Sequence, residues 1–154
     1  MKIFILLIIN FYIIFFSVSI SSQNLNDLVL EPGFKISIFA DNLDSPRQMA
    51  EGKNGTIFVG ERNGKVIALI DSDKNGQADS KIIVANNLTY STGVSLYDGD
   101  LYFSEISKIW KIENIEQWIS SYNSDSGMPK KILVIDNLPN DKWHGWKWLK
   151  HDQD

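Results

Sequence analysis

Residues 54–61 read Asn54-Gly55-Thr56-Ile57-Phe58-Val59-Gly60-Glu61, a turn dipeptide followed by a short run of mainly apolar residues. A second turn dipeptide, Asn63-Gly64, leads into another apolar run, Lys65-Val66-Ile67-Ala68-Leu69-Ile70. Asparagine and glycine accept the positive φ angles that tight hairpin turns need. The pattern therefore predicts two antiparallel strands joined as a β-hairpin.

This pattern occurs a second time in the chain. Asp98-Gly99-Asp100-Leu101-Tyr102-Phe103-Ser104-Glu105 precedes Lys108-Ile109-Trp110-Lys111-Ile112. Glycines 55 and 99 are 44 positions apart, and so are glutamates 61 and 105. Further short strands are predicted before and after the hairpins, around Gln48–Ala50, Val94–Leu96, Lys81–Ala85 and Lys131–Ile135. The sequence thus predicts a repeating unit of four strands.

The leucines that open successive units set the length of the repeat. Leu43 and Leu88 are 45 positions apart, and Leu88 and Leu138 are 50 apart. A short helix predicted from Ile115, Trp118, Ile119 and Tyr122, at spacings of three and four, explains the longer second unit. Four-stranded repeats of this length are typical of a β-propeller, an all-β fold. We expect blade one at residues 42–86, blade two at 87–136 and the start of blade three at 137–154.

Two more strands are predicted outside the complete units. Phe34–Ala40 alternates apolar and polar side chains and is expected to be the outer strand of another blade. Trp146–Leu149 is expected to be the inner strand of blade three. We therefore predict an incomplete, N-terminal portion of a propeller, with about two blades and flanking strands within residues 34–154.

The N-terminus has the pattern of a secretory signal peptide. Lys2 is followed by the apolar run Ile3–Phe16, broken only by Asn10, and by small residues up to Ser22. We expect a signal peptide at residues 1–22, a polar leader at 23–33 and an exported product, periplasmic or secreted. An uncleaved membrane anchor is the alternative, because the apolar stretch nearly reaches Ile20.

Charge and composition exclude several kinds of partner. The formal net charge of −4 becomes −5 when Lys2, the only charged residue of the signal, is removed. Such an acidic chain offers no basic surface for nucleic acid, and no membrane partner is expected apart from the signal segment. The chain has no cysteine, which excludes disulfides, thiolate metal sites and thiol nucleophiles.

An acidic loop is the first candidate site. Asp71, Asp73, Asn75 and Asp79 place side-chain oxygens at alternating positions around Gly76, as in an EF-hand calcium loop. The twelfth position is Ile82 instead of a bidentate glutamate, and the flanking segments are strands. Two interpretations stay open, a shorter calcium loop with a structural role and a solvated turn rich in aspartate.

The second candidate is the segment from Leu138 to Leu149, which opens blade three. His144 is expected to face the channel mouth, where an imidazole could take a proton near neutral pH, and Gly145 would let a ligand approach closely. Tryptophans 143, 146 and 148 could form a flat wall for a sugar ring, or they could pack the core. Arg47 and Lys147 could meet an anionic cofactor or be ordinary exposed charges, and His151 is interpreted as a surface residue.

Taken in order along the chain, these segments resemble the soluble glucose/L-sorbosone dehydrogenase family. The resemblance rests on Pro32–Ile36, the turn Leu43–Arg47, the acidic loop ending at Asp79, Gly99–Tyr102 with Glu105-Ile106, and above all His144-Gly145-Trp146-Lys147. It covers nearly everything from Leu28 to Asp154. It implies a six-bladed propeller that uses pyrroloquinoline quinone and calcium.

The resemblance also implies a reaction. A sugar hydroxyl would be oxidised with hydride transfer to the quinone, and His144 matches the family's catalytic base. An external electron acceptor is expected as a further partner. Trp143 stands where related glucose dehydrogenases carry an acid, so a sugar other than glucose is expected as substrate. The family's residues for the quinone and its calcium lie in later blades, so we expect the 154-residue product alone to be inactive. A non-catalytic exported binding propeller and a calcium-dependent propeller lactonase are the alternatives.

Overall fold

The computed structural model describes residues 25–152, which belong to two compact units divided after Ile36. The described part of the first unit holds a single 3₁₀ turn, Leu25–Asp27. Every strand and the α-helix found between residues 25 and 152 lie in the second unit. The signal peptide predicted at residues 1–22 lies outside the described residues. Between residues 25 and 152, every helix is too short or too polar to span a bilayer.

The second unit contains two four-stranded antiparallel sheets. Their strands follow each other in chain order as β1 Pro46–Glu51, β2 Ile57–Glu61, β3 Lys65–Ile70 and β4 Ser80–Ala85, then β5 Val94–Tyr97, β6 Asp100–Ser104, β7 Ile109–Ile112 and β8 Ile132–Ile135. Helix α1, Ile115–Ser120, follows β7 where the sequence predicted a helix. Each sheet has the form of one propeller blade, which confirms the predicted all-β class.

The hairpin turns differ in detail from the prediction. In the two-residue β5–β6 turn, Asp98 and Gly99 both have positive φ angles, 49° and 83°. At the other two turn dipeptides only the glycines, Gly55 and Gly64, have positive φ, so the prediction for their asparagines was wrong. The β1–β2 loop and the three-residue β2–β3 turn are longer than a two-residue hairpin, and their geometry needs one left-handed residue at the glycine.

One apolar core lies between the two sheets. Its buried members come from one face of each sheet and from the start of α1, and they are Phe58, Val66, Ala68, Ile82, Val84, Ala85, Leu88, Val94, Leu101, Phe103, Ile112 and Ile115. Gly60 lets the sheets approach, because a Cβ atom there would lie 2.7 Å from the carbonyl oxygen of Thr92. The inner strands β1 and β5 meet at this point, where the backbone amide of Gln48 donates to the Thr92 carbonyl at 3.3 Å.

The opposite face of the first sheet is covered by the segment that precedes it. Val59, Ile67 and Leu69 are buried there against Phe39, Ala40 and neighbouring apolar residues. The strand predicted at Phe34–Ala40 is absent, so that prediction was wrong. Alternation alone does not make a strand, because a strand needs a partner for its backbone groups. Among the described residues, the Phe39 carbonyl has one such bond, from the Ala78 amide at 2.8 Å.

The inner strand predicted at Trp146–Leu149 is also absent as a paired strand. This segment still runs beside the second sheet, but side chains hold it there in place of a backbone ladder. The described residues contain no second strand of a third sheet with which it could pair.

The antiparallel order places the loops at two opposite ends of the sheets. The upper end carries the β2–β3 and β6–β7 turns, the β4–β5 loop and the segment after β8. Backbone bonds confirm this grouping, because the Leu88 amide donates to Gly64 and the Leu138 amide donates to Ser107, both at 3.1 Å. The lower end carries the acidic β3–β4 loop, the β5–β6 turn and the start of α1.

Candidate functional site

His144 lies in an exposed turn at the upper end of the sheets. Its φ angle of 63° is in the left-handed region, which is uncommon for a residue with a Cβ atom. Within residues 25–152, the imidazole has no hydrogen-bond partner. The ring is therefore free to meet a ligand at this end, while its proposed direction toward a channel mouth stays a prediction.

The loop around His144 is stabilised by its own backbone. Lys147 Nζ donates to the carbonyl oxygens of Pro139, at 3.2 Å, and of Gly145. Gly145 is buried, and a Cβ atom there would collide with the carbonyl of Asp141. The predicted role of Gly145 in ligand approach was wrong, because the loop itself fills that space. Lys147 likewise closes the loop and is not free for an anionic cofactor.

Gln48 connects three segments that lie far apart in sequence. It is only 6% exposed, and its Nε2 donates to the Leu149 carbonyl at 2.6 Å. Its Oε1 accepts from the amides of Val94, at 3.2 Å, and Leu149, at 3.0 Å. The buried side-chain amide of Gln48 thus satisfies backbone groups at Val94, where β5 begins, and at Leu149, five residues after His144. This residue fixes the position of the chain that carries His144.

Two hydroxyl groups, one from the β4–β5 loop and one from β6, hold the same segment at Lys147. Thr92 Oγ1 and Ser104 Oγ donate to the Lys147 carbonyl at 3.2 and 3.3 Å. Nearby, the hydroxyl of Ser91 is fully buried and has no partner among the described residues. The segment 147–149 is therefore anchored at two carbonyls and one amide without pairing to a strand.

The two arginines of the chain meet the same indole ring at the upper end. The guanidinium carbon of Arg47 lies 5.4 Å from the Trp146 ring centre, and that of Arg62 lies 4.9 Å from it. Arg62 is also 5.4 Å from the centre of the Tyr90 ring, so two aromatic rings contact it. Trp146 is therefore a cation–π partner of both cations. Sequence reasoning missed Arg62, although its place directly after Glu61 in the hairpin puts it in the upper turn.

The other two tryptophans of the predicted sugar wall are strongly exposed. Trp143 is 82% exposed and Trp148 is 74% exposed. They do not pack the core, which was the alternative interpretation. Exposed indole rings suit the apolar faces of sugar rings, and a shared wall stays a prediction.

His151 is not the isolated surface residue that the sequence suggested. Its ring stacks on Tyr97, with centres 5.0 Å apart, and lies 4.5 Å from the ring of Tyr102. Its Nδ1 is 2.9 Å from Ser95 Oγ. All three partners project from one face of the second sheet, so the ring packs on that face. Strand alternation in β5 and β6 could have revealed this face, but not what would cover it.

Two buried glutamates occupy equivalent positions in the two sheets. Glu61 Oε1 accepts from the Asp44 amide at 2.8 Å, and Glu105 Oε2 accepts from the Thr89 amide at the same distance. Glu105 Oε1 also accepts from Trp110 Nε1 at 2.7 Å. Each carboxylate therefore holds the loop that precedes the first strand of its own sheet. The repeat spacing marked both residues, but only the structure shows this structural task.

The acidic loop brings its carboxylates together at the lower end. Ligand oxygens of Asp71, Asp73 and Asp79 lie within 4.8 Å of one another. Asn75 closes the loop, because its backbone amide donates to the carboxylates of both Asp71 and Asp73 at 3.1 Å. Hydrogen bonds from the hydroxyl and amide of Ser72, both 2.6 Å, lower the pKa of Asp79 below its ordinary 3.8. This convergence of hard oxygen donors suits a calcium ion.

The acidic loop and His144 are at opposite ends of the sheets. The meander requires this, because β3 leads to the acidic loop whereas β8 leads back to the upper end. A cation in the acidic loop would therefore stabilise the turn and would not touch a ligand at His144.

The chain matches no family model. It is 28% identical over 141 residues to a protein of Borreliella burgdorferi described as uncharacterized, and it covers 36% of that relative. The chain therefore spans little more than a third of the length of this relative.

Solved structures resemble the chain at low sequence identity. The holo PQQ domain of pyranose dehydrogenase from Coprinopsis cinerea has a TM-score of 0.50 at 15% identity, over 68% of this chain and 24% of that one. The calcium structure of a Trichoderma reesei carbohydrate-active enzyme of family AA12 has a TM-score of 0.55 at 16% identity, over 72% and 27%. At such identities the likeness shows the fold, while the narrower resemblance to glucose/L-sorbosone dehydrogenases stays a prediction.

Proposed function

We propose that this chain supplies the first two blades and the general base of an exported propeller dehydrogenase that oxidises a sugar hydroxyl. The observation that carries the proposal is His144, whose imidazole has no partner among residues 25–152 and lies in an exposed turn where the loops of both sheets gather. The likeness to a sugar dehydrogenase domain supports the same reaction class. Because the chain covers about a quarter of that domain, the activity belongs to a larger protein that contains these blades.

The proposed role of His144 is to remove the hydroxyl proton of the substrate. Imidazole is neutral over much of the range near pH 7 and can accept a proton from a positioned hydroxyl. The carbon–hydrogen bond breaks in the same oxidation, so a hydride acceptor is required as well. The carbonyls anchored by Gln48, Thr92 and Ser104 keep the loop in place, and correct placement contributes much of the rate in such reactions.

The residues described here fit the implied quinone only in part. Pyrroloquinoline quinone would supply the hydride acceptor, and the upper end offers cations and flat rings. The carboxylates that could bind calcium lie at the other end of the sheets, so they do not provide a metal next to the quinone. We therefore assign to this chain the base and part of the substrate wall, with a sugar other than glucose as substrate.

We also propose that Asp71, Asp73, Asn75 and Asp79 bind a structural calcium ion. The convergence of three carboxylates supports this role. The described residues place no lysine or arginine in a salt bridge with this group, so a bound cation would relieve their mutual repulsion.

The dehydrogenase proposal is tested by replacing His144 in the complete gene product. With pyrroloquinoline quinone, calcium and an electron-accepting dye, His144→Gln should lower kcat for aldose oxidation by about 100- to 10,000-fold. Lys142→Gln, an exposed neighbour in the same loop, is the control and should keep its activity. Undiminished turnover by His144→Gln would remove the histidine from the reaction. Aldose oxidation by the 154-residue chain alone would contradict the need for further blades.

A further inference from the structure

The two arginines of this chain both contact one indole ring, and no carboxylate of the described residues pairs with either of them. The chain has only these two, Arg47 and Arg62, among its 15 basic residues. Within residues 25–152, neither guanidinium has an ion pair or a hydrogen bond to the protein. Their contacts are aromatic faces, Trp146 for both and Tyr90 for Arg62.

Stacking leaves the hydrogen-bonding edge of the guanidinium open. Aromatic rings contact its flat faces, while its N–H groups point outward in the guanidinium plane. Arg62 is half-buried, and its guanidinium N–H groups have no acceptor among residues 25–152. A planar fork in this state is suited to an oxygen pair of a carboxylate or phosphate.

The acidic side chains nearest in the sequence are already occupied. Glu61 is buried and accepts from the Asp44 amide. The Asp44 carboxylate in turn accepts from Asn63 Nδ2 at 2.8 Å. Within the part of the chain that the structure describes, neither carboxylate is bonded to a guanidinium, so neither pairs with the two cations at Trp146.

We propose that Arg62 and Arg47, spaced by Trp146, form a subsite for an oxyanion group, a carboxylate or a phosphate, of a small-molecule ligand. This goes beyond the proposed function, because oxidation of a neutral sugar needs no anionic group. Trp146 is two residues from His144, so the subsite would hold an acidic group close to the proposed base. Lys147 is not part of it, because its ammonium group closes the loop.

The test uses side-chain NMR of the full chain, because only two arginine Nε–H signals exist. Inorganic phosphate and gluconate are titrated separately, and each signal should shift with saturation. Arg62→Gln should weaken binding by about tenfold or more, the loss expected for a charge-assisted hydrogen bond. Arg62→Lys should weaken it too, because lysine keeps the charge but not the planar fork.

Lys108→Gln is the matched control for net charge. Its ammonium lies 5.7 Å from the Trp110 ring centre at the same end of the sheets. This variant should bind the anions within about twofold of wild type, because surface charge alone contributes little. Each variant's amide spectrum checks that the chain is folded. Shifts that never saturate, or equal binding by Arg62→Gln, would overturn the subsite.

The two probes and the quinone separate the sources of the anion. Tighter binding of gluconate than of phosphate identifies a carboxylate-bearing substrate, and the reverse identifies a phosphorylated one. Displacement of both by pyrroloquinoline quinone would assign the subsite to the cofactor's carboxylates. No turnover is measured, so failure of the His144 proposal leaves these results unchanged.

Discussion

At the scale of single residues, hydrogen bonds decide the chemistry of the charged groups. The Asp79 carboxylate accepts two short bonds from Ser72, and these favour its charged form. The buried glutamates 61 and 105 accept backbone amides instead of meeting cations. Among the residues that the structure describes, His144 has neither kind of partner. The candidate base therefore differs from these three acids in being open to a ligand.

Replacing Ser72 by alanine should raise the pKa of Asp79 toward its ordinary 3.8, because the largest cause of its lowering is the Ser72 hydroxyl. A lowered folded-state pKa stabilises the fold above the unfolded-state pKa, and this contribution is lost as pH falls through the lowered value. Carboxyl ¹³C titration in the presence of a chelator measures the change. Ser80→Ala is the control, and an unshifted pKa in Ser72→Ala would show that the hydroxyl has no such effect.

At the scale of elements, side chains replace backbone pairing in the segment that follows β8. The sequence predicted an inner strand at Trp146–Leu149, and the structure has an unpaired segment there. Gln48, Thr92 and Ser104 donate to its carbonyls, and Gln48 also accepts from the Leu149 amide. The position of the His144 loop thus depends on residues about 40 to 100 positions away, which no local pattern can reveal.

Gln48→Met should lower the free energy of unfolding by about 2–4 kcal/mol, because it leaves buried backbone groups of Val94 and Leu149 without partners. Methionine keeps the side-chain length and removes both hydrogen-bonding functions. Urea unfolding measures the loss. Gln117→Met, on the exposed side of α1, should cost less than about 0.5 kcal/mol. Equal stability of the two variants would mean that the hydrogen bonds of Gln48 to Val94 and Leu149 do not stabilise the fold.

At the scale of the whole molecule, the sheets share one core and separate their two candidate sites. Phe58 of the first sheet and Phe103 of the second are fully buried in the same cluster. The proposed base lies at the upper end and the acidic loop at the lower end. Calcium bound in that loop should consequently stabilise the folded second unit without contacting a ligand at His144.

Calcium at about 100 times its dissociation constant should raise Tm by about 10 °C, corresponding to a gain of about 2.7 kcal/mol in the free energy of unfolding. Differential scanning calorimetry of the chain with calcium and with a chelator measures the shift. Asp73→Asn should abolish it, whereas Asp125→Asn, in an exposed loop, should retain it. An equal Tm with and without calcium would identify the loop as a solvated turn.

The sequence by itself determined the repeating four-stranded unit, the helix after β7 and the acidic loop, because these depend on local turn chemistry, on alternation and on spacing. It could not determine whether Phe34–Ala40 or Trp146–Leu149 would pair, since pairing requires a partner strand supplied by distant parts of the chain. Only the tertiary structure placed both arginines at Trp146, packed His151 on the second sheet and filled the space at Gly145. The first two outcomes depend on contacts between residues far apart in sequence, and the third on how one loop closes on itself, none of which hydrophobic period or motif encodes.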